Sequence, residues 1–246
     1  MNKFAVILPA AGRSQRFGKQ GPKKVFSNLD GRPVWLRAAD LFLNRSDVVQ
    51  VIVVISPDDQ QYFQDRFGSD LAVLGIDWAL GGSERYHSVA NALEKVDSRA
   101  DFIAVHDAAR PCTTEGDVEQ VFAAAVKYGA AILATPLAST IKRGRETIEA
   151  TVDRSHLWAA HTPQVFRRDW LESAYAELLA GQAESNRTQT TDDAQVIENA
   201  GHAVHLVPGK STNLKITTKE DLQLAQAILK SRPKSIDSLF HPFKDG

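Results

Sequence analysis

Val48-Val49-Gln50-Val51-Ile52-Val53-Val54-Ile55 decides the fold. A strand with one wet face alternates apolar and polar residues. This run is β-branched throughout apart from Gln50, so it reads as a strand buried on both faces, the habit of a parallel sheet covered by helices. Working outward, Phe4 to Leu8 is a second apolar run, ending in the small-residue turn Pro9-Ala10-Ala11-Gly12. Phe102 to Val105, Ala130 to Ala134 and Ala203 to Val207 add three more candidate strands. Helical patterns lie between and after them, at Val34 to Leu43, Tyr86 to Val96, Val118 to Tyr128, Arg168 to Leu179 and Asp192 to Ala200. A closing helix from Thr218 to Leu229 is capped by Thr217 or Thr218, with Glu220 and Asp221 suited to its first turn. Alternating strands and helices predict an α/β fold, a mostly parallel sheet with helices on both faces. Such sheets take their ligands beyond the carboxyl ends of the strands.

The chain has 246 residues with a formal net charge of -1, which suits one domain over 1–232 and a frayed tail over 233–246. A polyanion such as nucleic acid is not favoured, because its binders usually carry a basic excess. No apolar run approaches the roughly 20 residues of a membrane helix, and the N-terminus is too brief for a signal peptide. The lone cysteine, Cys112, excludes an intrachain disulfide and suits a reducing, cytoplasmic setting. It reads as a small buried residue, since nothing beside it activates a thiol.

The stretch from Leu137 to Thr162 breaks the pattern. It carries Thr140, Lys142, Arg143, Arg145 and Arg154, with β-branched Ile141, Ile148, Thr151 and Val152 between them. This predicts a hairpin-like arm that buries its apolar positions against a second subunit, the alternative being a solvated loop.

Four segments carry the chemistry. The loop from Pro9 to Lys24 offers small residues and then Arg13, Arg16, Lys19, Lys23 and Lys24, a combination suited to a triphosphate. It is neither a Walker A loop nor a dinucleotide loop, because Gln20 stands where Ser or Thr is required and Gly12 is followed by Arg13 and Ser14. The expectation is that residues 13–23 are mobile without nucleotide, since like charges crowd there. Gly81-Gly82-Ser83-Glu84 leads into a helix; it can present backbone groups to a base, or Ser83 can simply cap the helix. In Val105-His106-Asp107-Ala108-Ala109-Arg110-Pro111, alternation sends His106 and Asp107 to opposite faces, which argues against a catalytic His–Asp pair. Asp107 can reach Mg²⁺ or a substrate hydroxyl and Arg110 a phosphate, or the two can pair with each other. In Asn213-Leu214-Lys215, the lysine is a snorkelling edge residue or a directed cation.

Taken in order, Pro9-Ala-Ala-Gly12, Arg16, Pro22-Lys23, Gly81-Gly82 through Arg85 to Ser88-Val89, and His106 to Pro111 resemble the 2-C-methyl-D-erythritol 4-phosphate cytidylyltransferase family of the non-mevalonate isoprenoid pathway. Thr140, Thr151 to Arg154, Thr162-Pro-Gln164, Thr191 to Asp193 and Asn213 to Lys215 extend the likeness over nearly the whole chain. The resemblance implies a Rossmann-like, nucleotide-diphospho-sugar-transferase-like sheet, a homodimer joined through β-arms, and CTP with Mg²⁺ as donor. It implies that Arg16 and Lys23 stabilise the triphosphate in the transition state, and that Arg154 and Lys215 position methylerythritol phosphate. Asp107, Arg110, Thr140 and Thr162 would surround that acceptor, with Thr140 and Arg154 serving the partner's site. Pro9, Ala10, Ala11, Gly12 and Gly81 would hold the nucleotide, and Gly82 and Ser88 would read its cytosine. Phe17 and Ser83 depart from frequent family choices without removing a functional group. Lys23 is preferred over Lys24 because it directly follows Pro22. A ribitol 5-phosphate cytidylyltransferase and a non-catalytic nucleotide binder are the alternatives.

Overall fold

The computed structural model describes residues 1–12, 14–17, 23–181 and 190–232. Arg13, Lys19 and Pro22 of the basic loop lie outside the described residues, as does the tail at 233–246. Most of the segment expected to be mobile lies outside them as well.

The chain opens with β1 (Phe4–Pro9), a two-residue pair β2 (Asn28–Leu29) and β3 (Arg32–Pro33), and α1 (Val34–Leu43). β4 (Val48–Ile55), α2 (Gln60–Leu74), β5 (Asp77–Leu80) and α3 (Arg85–Leu93) follow. Next come β6 (Phe102–Val105), α4 (Glu115–Tyr128), β7 (Ala130–Pro136), β8 (Ile141–Gly144), β9 (Ile148–Val152) and β10 (Trp158–Arg167). The chain closes with α5 (Arg168–Leu179), α6 (Asp193–Asn199), β11 (His205–Pro208) and α7 (Lys219–Ser231). Seven strands form one sheet in the order β11-β7-β10-β6-β1-β4-β5. β10 runs antiparallel to both neighbours; the other pairings are parallel.

Burial on both faces follows from alternation along the strands. Phe4, Val6 and Leu8 of β1 join Val51, Val53 and Ile55 of β4 on one side, under Trp35 and Phe42 of α1, Phe63 and Phe67 of α2 and Phe122 of α4. Ala5, Ile7, Ile52 and Val54 face the other way, under Val89 of α3, Leu171 of α5 and Ile197 of α6. A third cluster, where Ala225 of α7 meets Phe17, Leu29, Val34, Cys112 and Ile216, closes the molecule over the carboxyl end of β6. Thr114 and Asp117 cap α4 reciprocally, and Thr218 and Asp221 do the same for α7. Each such cap contributes about 1 kcal/mol.

Two expectations need correction. The arm is shorter than 137–162: Leu137 N–H donates to the Leu157 carbonyl at 3.1 Å and closes its base, and only β8 and β9 project. Trp158 onward returns into the middle of the sheet, so Thr162 is a core residue and lies off the arm. α2 and β5, absent from the sequence reading, complete the sheet edge beside β4.

Candidate active site

Adjacent strands β6, β1, β4 and β5 deliver their carboxyl ends to one cavity of about 510 Å³, lined by parts of the loops that follow each of them. Its construction begins with a close approach of two backbones. A Cβ on Gly81 would sit 2.7 Å from the Ala11 Cβ and 2.8 Å from the Ser88 Oγ, so the loops after β1 and β5 pack together only because that side chain is missing. The Ser88 hydroxyl accepts from Gly82 N–H at 3.1 Å and donates to the Glu84 carbonyl at 3.2 Å, pinning the loop to α3. Ser83 does not cap this helix: Glu84 is the N-cap residue and the Ser83 hydroxyl pairs with His87.

Asp107 is the electrostatic centre. Its carboxylate lies 2.7 Å from Lys215 Nζ, 3.7 Å from Arg110 Nε and 3.9 Å from a terminal nitrogen of Arg85. Burial opposes its charge, yet Lys215 and Arg85, with Arg110 behind them, hold the carboxyl well below the usual carboxylate range. Lys215 is therefore a directed cation.

The neighbours of Asp107 are hydrogen-bonded within the chain. Asp107 N–H donates to the Thr162 hydroxyl at 3.0 Å, and that hydroxyl lies 3.1 Å from His106 Nδ1. Burial pushes His106 down to about 4, so its ring is neutral near pH 7. The pattern assigns Nδ1 as acceptor from Thr162 and Nε2–H as donor to the Arg110 carbonyl. Thr162 thus braces Asp107 from beneath. Arg110, also expected at the acceptor, is buried: it donates to the Asn213 carbonyl at 2.6 Å and does not line the cavity. Asn213, given no role by its residue type, is the hub of this corner. Its amide nitrogen donates to the Thr162 carbonyl and its amide oxygen accepts from the Thr113 hydroxyl, each at 3.0 Å. Two residues later the chain presents Lys215.

The two adjacent lysines separate. Lys23 Nζ is held at 2.7 Å by Asp59 at the start of α2. Lys24 has no salt bridge among the described residues; burial, then the charge of Lys215, push it down to about 8, with Arg16 acting in the same direction. Both line the cavity, and Lys24 is the cation left unneutralised. Arg16 sits exposed on a short turn whose Phe17 is buried. Pro9, Ala10, Ala11, Gly12, Gly82 and Ser88 all reach the cavity. Thr140 and Arg154 lie exposed on the arm and do not, Arg154 pairing with the Ala138 carbonyl. A second depression of about 600 Å³ lies at the opposite end of the sheet, where Arg167 and Arg168 are neutralised by Asp169 and Glu172.

Small-residue loops, a carboxylate ringed by cations and one unneutralised lysine at the carboxyl ends of parallel strands, with histidine turned inward, define a nucleotide-handling transferase of the α/β class. The model of the 2-C-methyl-D-erythritol 4-phosphate cytidylyltransferase family matches residues 4–231. The chain belongs to that family. It is 42% identical over 236 residues to the enzyme of that name from Rhodopirellula baltica, covering 92% of this chain and 94% of that protein. The one from Bacillus velezensis is 36% identical, covering 93% and 97%. Among solved structures, the 4-diphosphocytidyl-2C-methyl-D-erythritol synthase of Anaerococcus prevotii superposes with a TM-score of 0.75 at 26% identity, covering 93% of this chain and 96% of that one. The Thermus thermophilus cytidylyltransferase gives 0.73 at 29% identity, covering 91% and 98%.

Proposed function

We propose that this protein transfers CMP from CTP to 2-C-methyl-D-erythritol 4-phosphate, giving 4-diphosphocytidyl-2-C-methyl-D-erythritol and pyrophosphate. The observation that carries the reading is the cavity in which Lys215 and Arg85 hold the Asp107 carboxylate while Lys24 lines the wall without a salt bridge among the described residues. An oxygen of the acceptor phosphate attacks the α-phosphorus of CTP in line, forming one P–O bond while the bond to pyrophosphate breaks. A phosphate monoester is already ionised near neutral pH, so positioning and charge neutralisation suffice without a strong base. This agrees with a site whose histidine is occupied internally.

Lys24 is the amine we assign to the triphosphate. Lys23, preferred on sequence, acts through its pair with Asp59 to hold the start of this segment. Lys215 and Asp107 position the acceptor, and Arg16 covers the triphosphate from the loop. Gly82 and Ser88 frame the base. Thr140 and Arg154 stand on the exposed arm, which also presents Ile148 at 68% exposure, and their distance from the cavity suits a homodimer in which each arm completes the partner's site.

The donor set also fits Mg²⁺. Among the described residues no three His, Cys, Asp or Glu converge to hold a metal on their own. Mg²⁺ prefers one or two carboxylates together with substrate phosphates, so the triphosphate would carry it, and the cavity lining includes the carboxylates of Asp58, Glu84 and Asp107. When bound with CTP it neutralises triphosphate charge. Among the described residues no helix is long and apolar enough to cross a membrane, and the buried Cys112 thiol accords with a cytoplasmic enzyme.

Pyrophosphate release from CTP, Mg²⁺ and methylerythritol phosphate tests the reading, with ribitol 5-phosphate in parallel. Lys24→Met should lose on the order of 10²-fold in rate. Release with ribitol 5-phosphate instead of methylerythritol phosphate would overturn the acceptor, and no release with either would overturn the transfer reaction.

A further inference from the structure

A buried polar chain leads from α5 into the cavity. The Tyr175 hydroxyl donates to Asp193 Oδ1 at 2.5 Å, and Asp193 Oδ2 receives a terminal nitrogen of Arg85 at 2.6 Å. That same Arg85 nitrogen is 3.9 Å from Asp107. Asp193 is fully buried and cannot drift, because the Gln164 side-chain oxygen accepts from the backbone N–H groups of Asp193 and Ala194 at 3.1 and 3.0 Å. Burial first, and then the neighbouring Asp193, keep the Tyr175 phenol protonated well above its ordinary range, so it remains a donor.

Burying a carboxylate costs several kcal/mol unless it is well paired, and apolar side chains of similar volume would stabilise α5 against α6 as well or better. The ion partner is also not confined to the core, since Arg85 emerges in the cavity lining. Two carboxylates therefore share one guanidinium, and its place between them depends on how strongly each pulls. The Tyr175 hydroxyl satisfies one oxygen of Asp193 and so moderates that pull. Without it, the freed Oδ1 of Asp193 competes for the guanidinium, Arg85 turns towards Asp193, the gap to Asp107 widens, and Asp107 is left to Lys215 and Arg110.

We propose that Tyr175 and Asp193 form a positioning relay that sets the reach of Arg85 and, through it, the place of the Asp107 carboxylate at the substrate. Arg85 is on this account a positioning residue. The inference rests on the assignment of this cavity to the transfer reaction.

The test is steady-state kinetics and thermal unfolding of the full chain carrying Tyr175→Phe, Arg85→Lys, and both together. Tyr175→Phe should raise KM for CTP or for the acceptor about 3- to 10-fold with kcat within about twofold, the scale of one hydrogen bond. In the double variant the Tyr175→Phe effect should vanish, because the group it acts through has changed. A lower Tm with unchanged KM, or penalties that multiply independently, would overturn the relay. Asp193→Asn, which keeps the side-chain shape, replaces Arg85→Lys if that variant fails to fold. Absence of turnover in the wild type would sink the activity reading instead; calorimetric CTP binding by the same variants then decides the relay by the same non-additivity.

Discussion

Replacing Gly81 by alanine tests whether the donor site is built on backbone contact. Gly81 does not occupy the left-handed region, so the effect is one of space alone. The new methyl would lie 2.7 Å from the Ala11 Cβ, about 1 Å inside ordinary carbon contact. The Ala11 Cβ cannot swing away. The Ser88 Oγ, at 2.8 Å, can rotate only by giving up its bonds to Gly82 N–H and the Glu84 carbonyl. The loops after β1 and β5 must separate, at the roughly 1–3 kcal/mol typical of overpacking. For a chain of this size that is a Tm lower by roughly 2–10 °C. Where about 2 kcal/mol falls on the closed arrangement of the loops, CTP binding weakens by up to about 30-fold. Calorimetric titration with CTP and thermal unfolding measure both quantities. Ala11→Gly removes the nearest atom, so the pair Gly81→Ala with Ala11→Gly should recover part of the lost affinity. Unchanged Tm and CTP affinity in Gly81→Ala would refute the reasoning, as would a double variant that loses the full sum of both penalties.

Three further outcomes are expected. With Lys24 pushed down to about 8, the ligand-free protein loses a cavity cation as pH rises through that value. CTP affinity measured from about pH 6.5 to 9.5 should fall on that limb in the wild type and in Lys23→Met, and the limb should be missing in Lys24→Met. His106, pushed from 6.5 to about 4 by burial, is neutral when folded and takes a proton when unfolded between those values. Stability is therefore lost as pH falls from 6.5 towards 4, by about 3 kcal/mol from this group, and urea unfolding of His106→Asn should show a shallower acid decline. Asn213→Ala strands the Thr162 carbonyl and leaves the Thr113 hydroxyl with the Arg110 carbonyl alone. It should cost about 3 kcal/mol in urea unfolding and raise KM for the acceptor, because the turn that presents Lys215 loses its anchor.

The fold was legible where burial writes a period into the chain. Val34–Leu43 and Arg168–Leu179 carry that period and their helices have the expected bounds. α2 was not legible, because Phe63, Phe67 and Leu71 are its only buried side chains and Gly68 interrupts a largely polar surface. β10 was missed for another reason. His161-Thr162-Pro163-Gln164 is polar yet central, and Thr162 and Gln164 find their partners far off in the chain, at Asp107 and Ala194. Within the site, the order of loops and the inward turn of His106 could be read from alternation. Which of Lys23 and Lys24 is ion-paired could not, since it depends on Asp59, which a different loop delivers. Arg110 and Thr162 have the chemistry of ligand contacts, and their bonds to Asn213, His106 and the Asp107 amide depend on tertiary neighbours that no local pattern announces.

The single reversed strand makes the molecule unequal in its tolerance of length. β10 begins at the root of the arm, places Thr162 beneath Asp107, and two residues later places Gln164 on the amide groups of α6. One residue added within it would turn every following side chain to the other face, and both anchors would point into the wrong core. At the arm tip, between Gly144 and Ile148, the same addition would leave these two anchors and the sheet register of its own chain in place. The stretch that must keep its count is thus the ten residues on which the arm is mounted, whereas a change of length at the tip is felt outside the chain's own core, by whatever the arm meets.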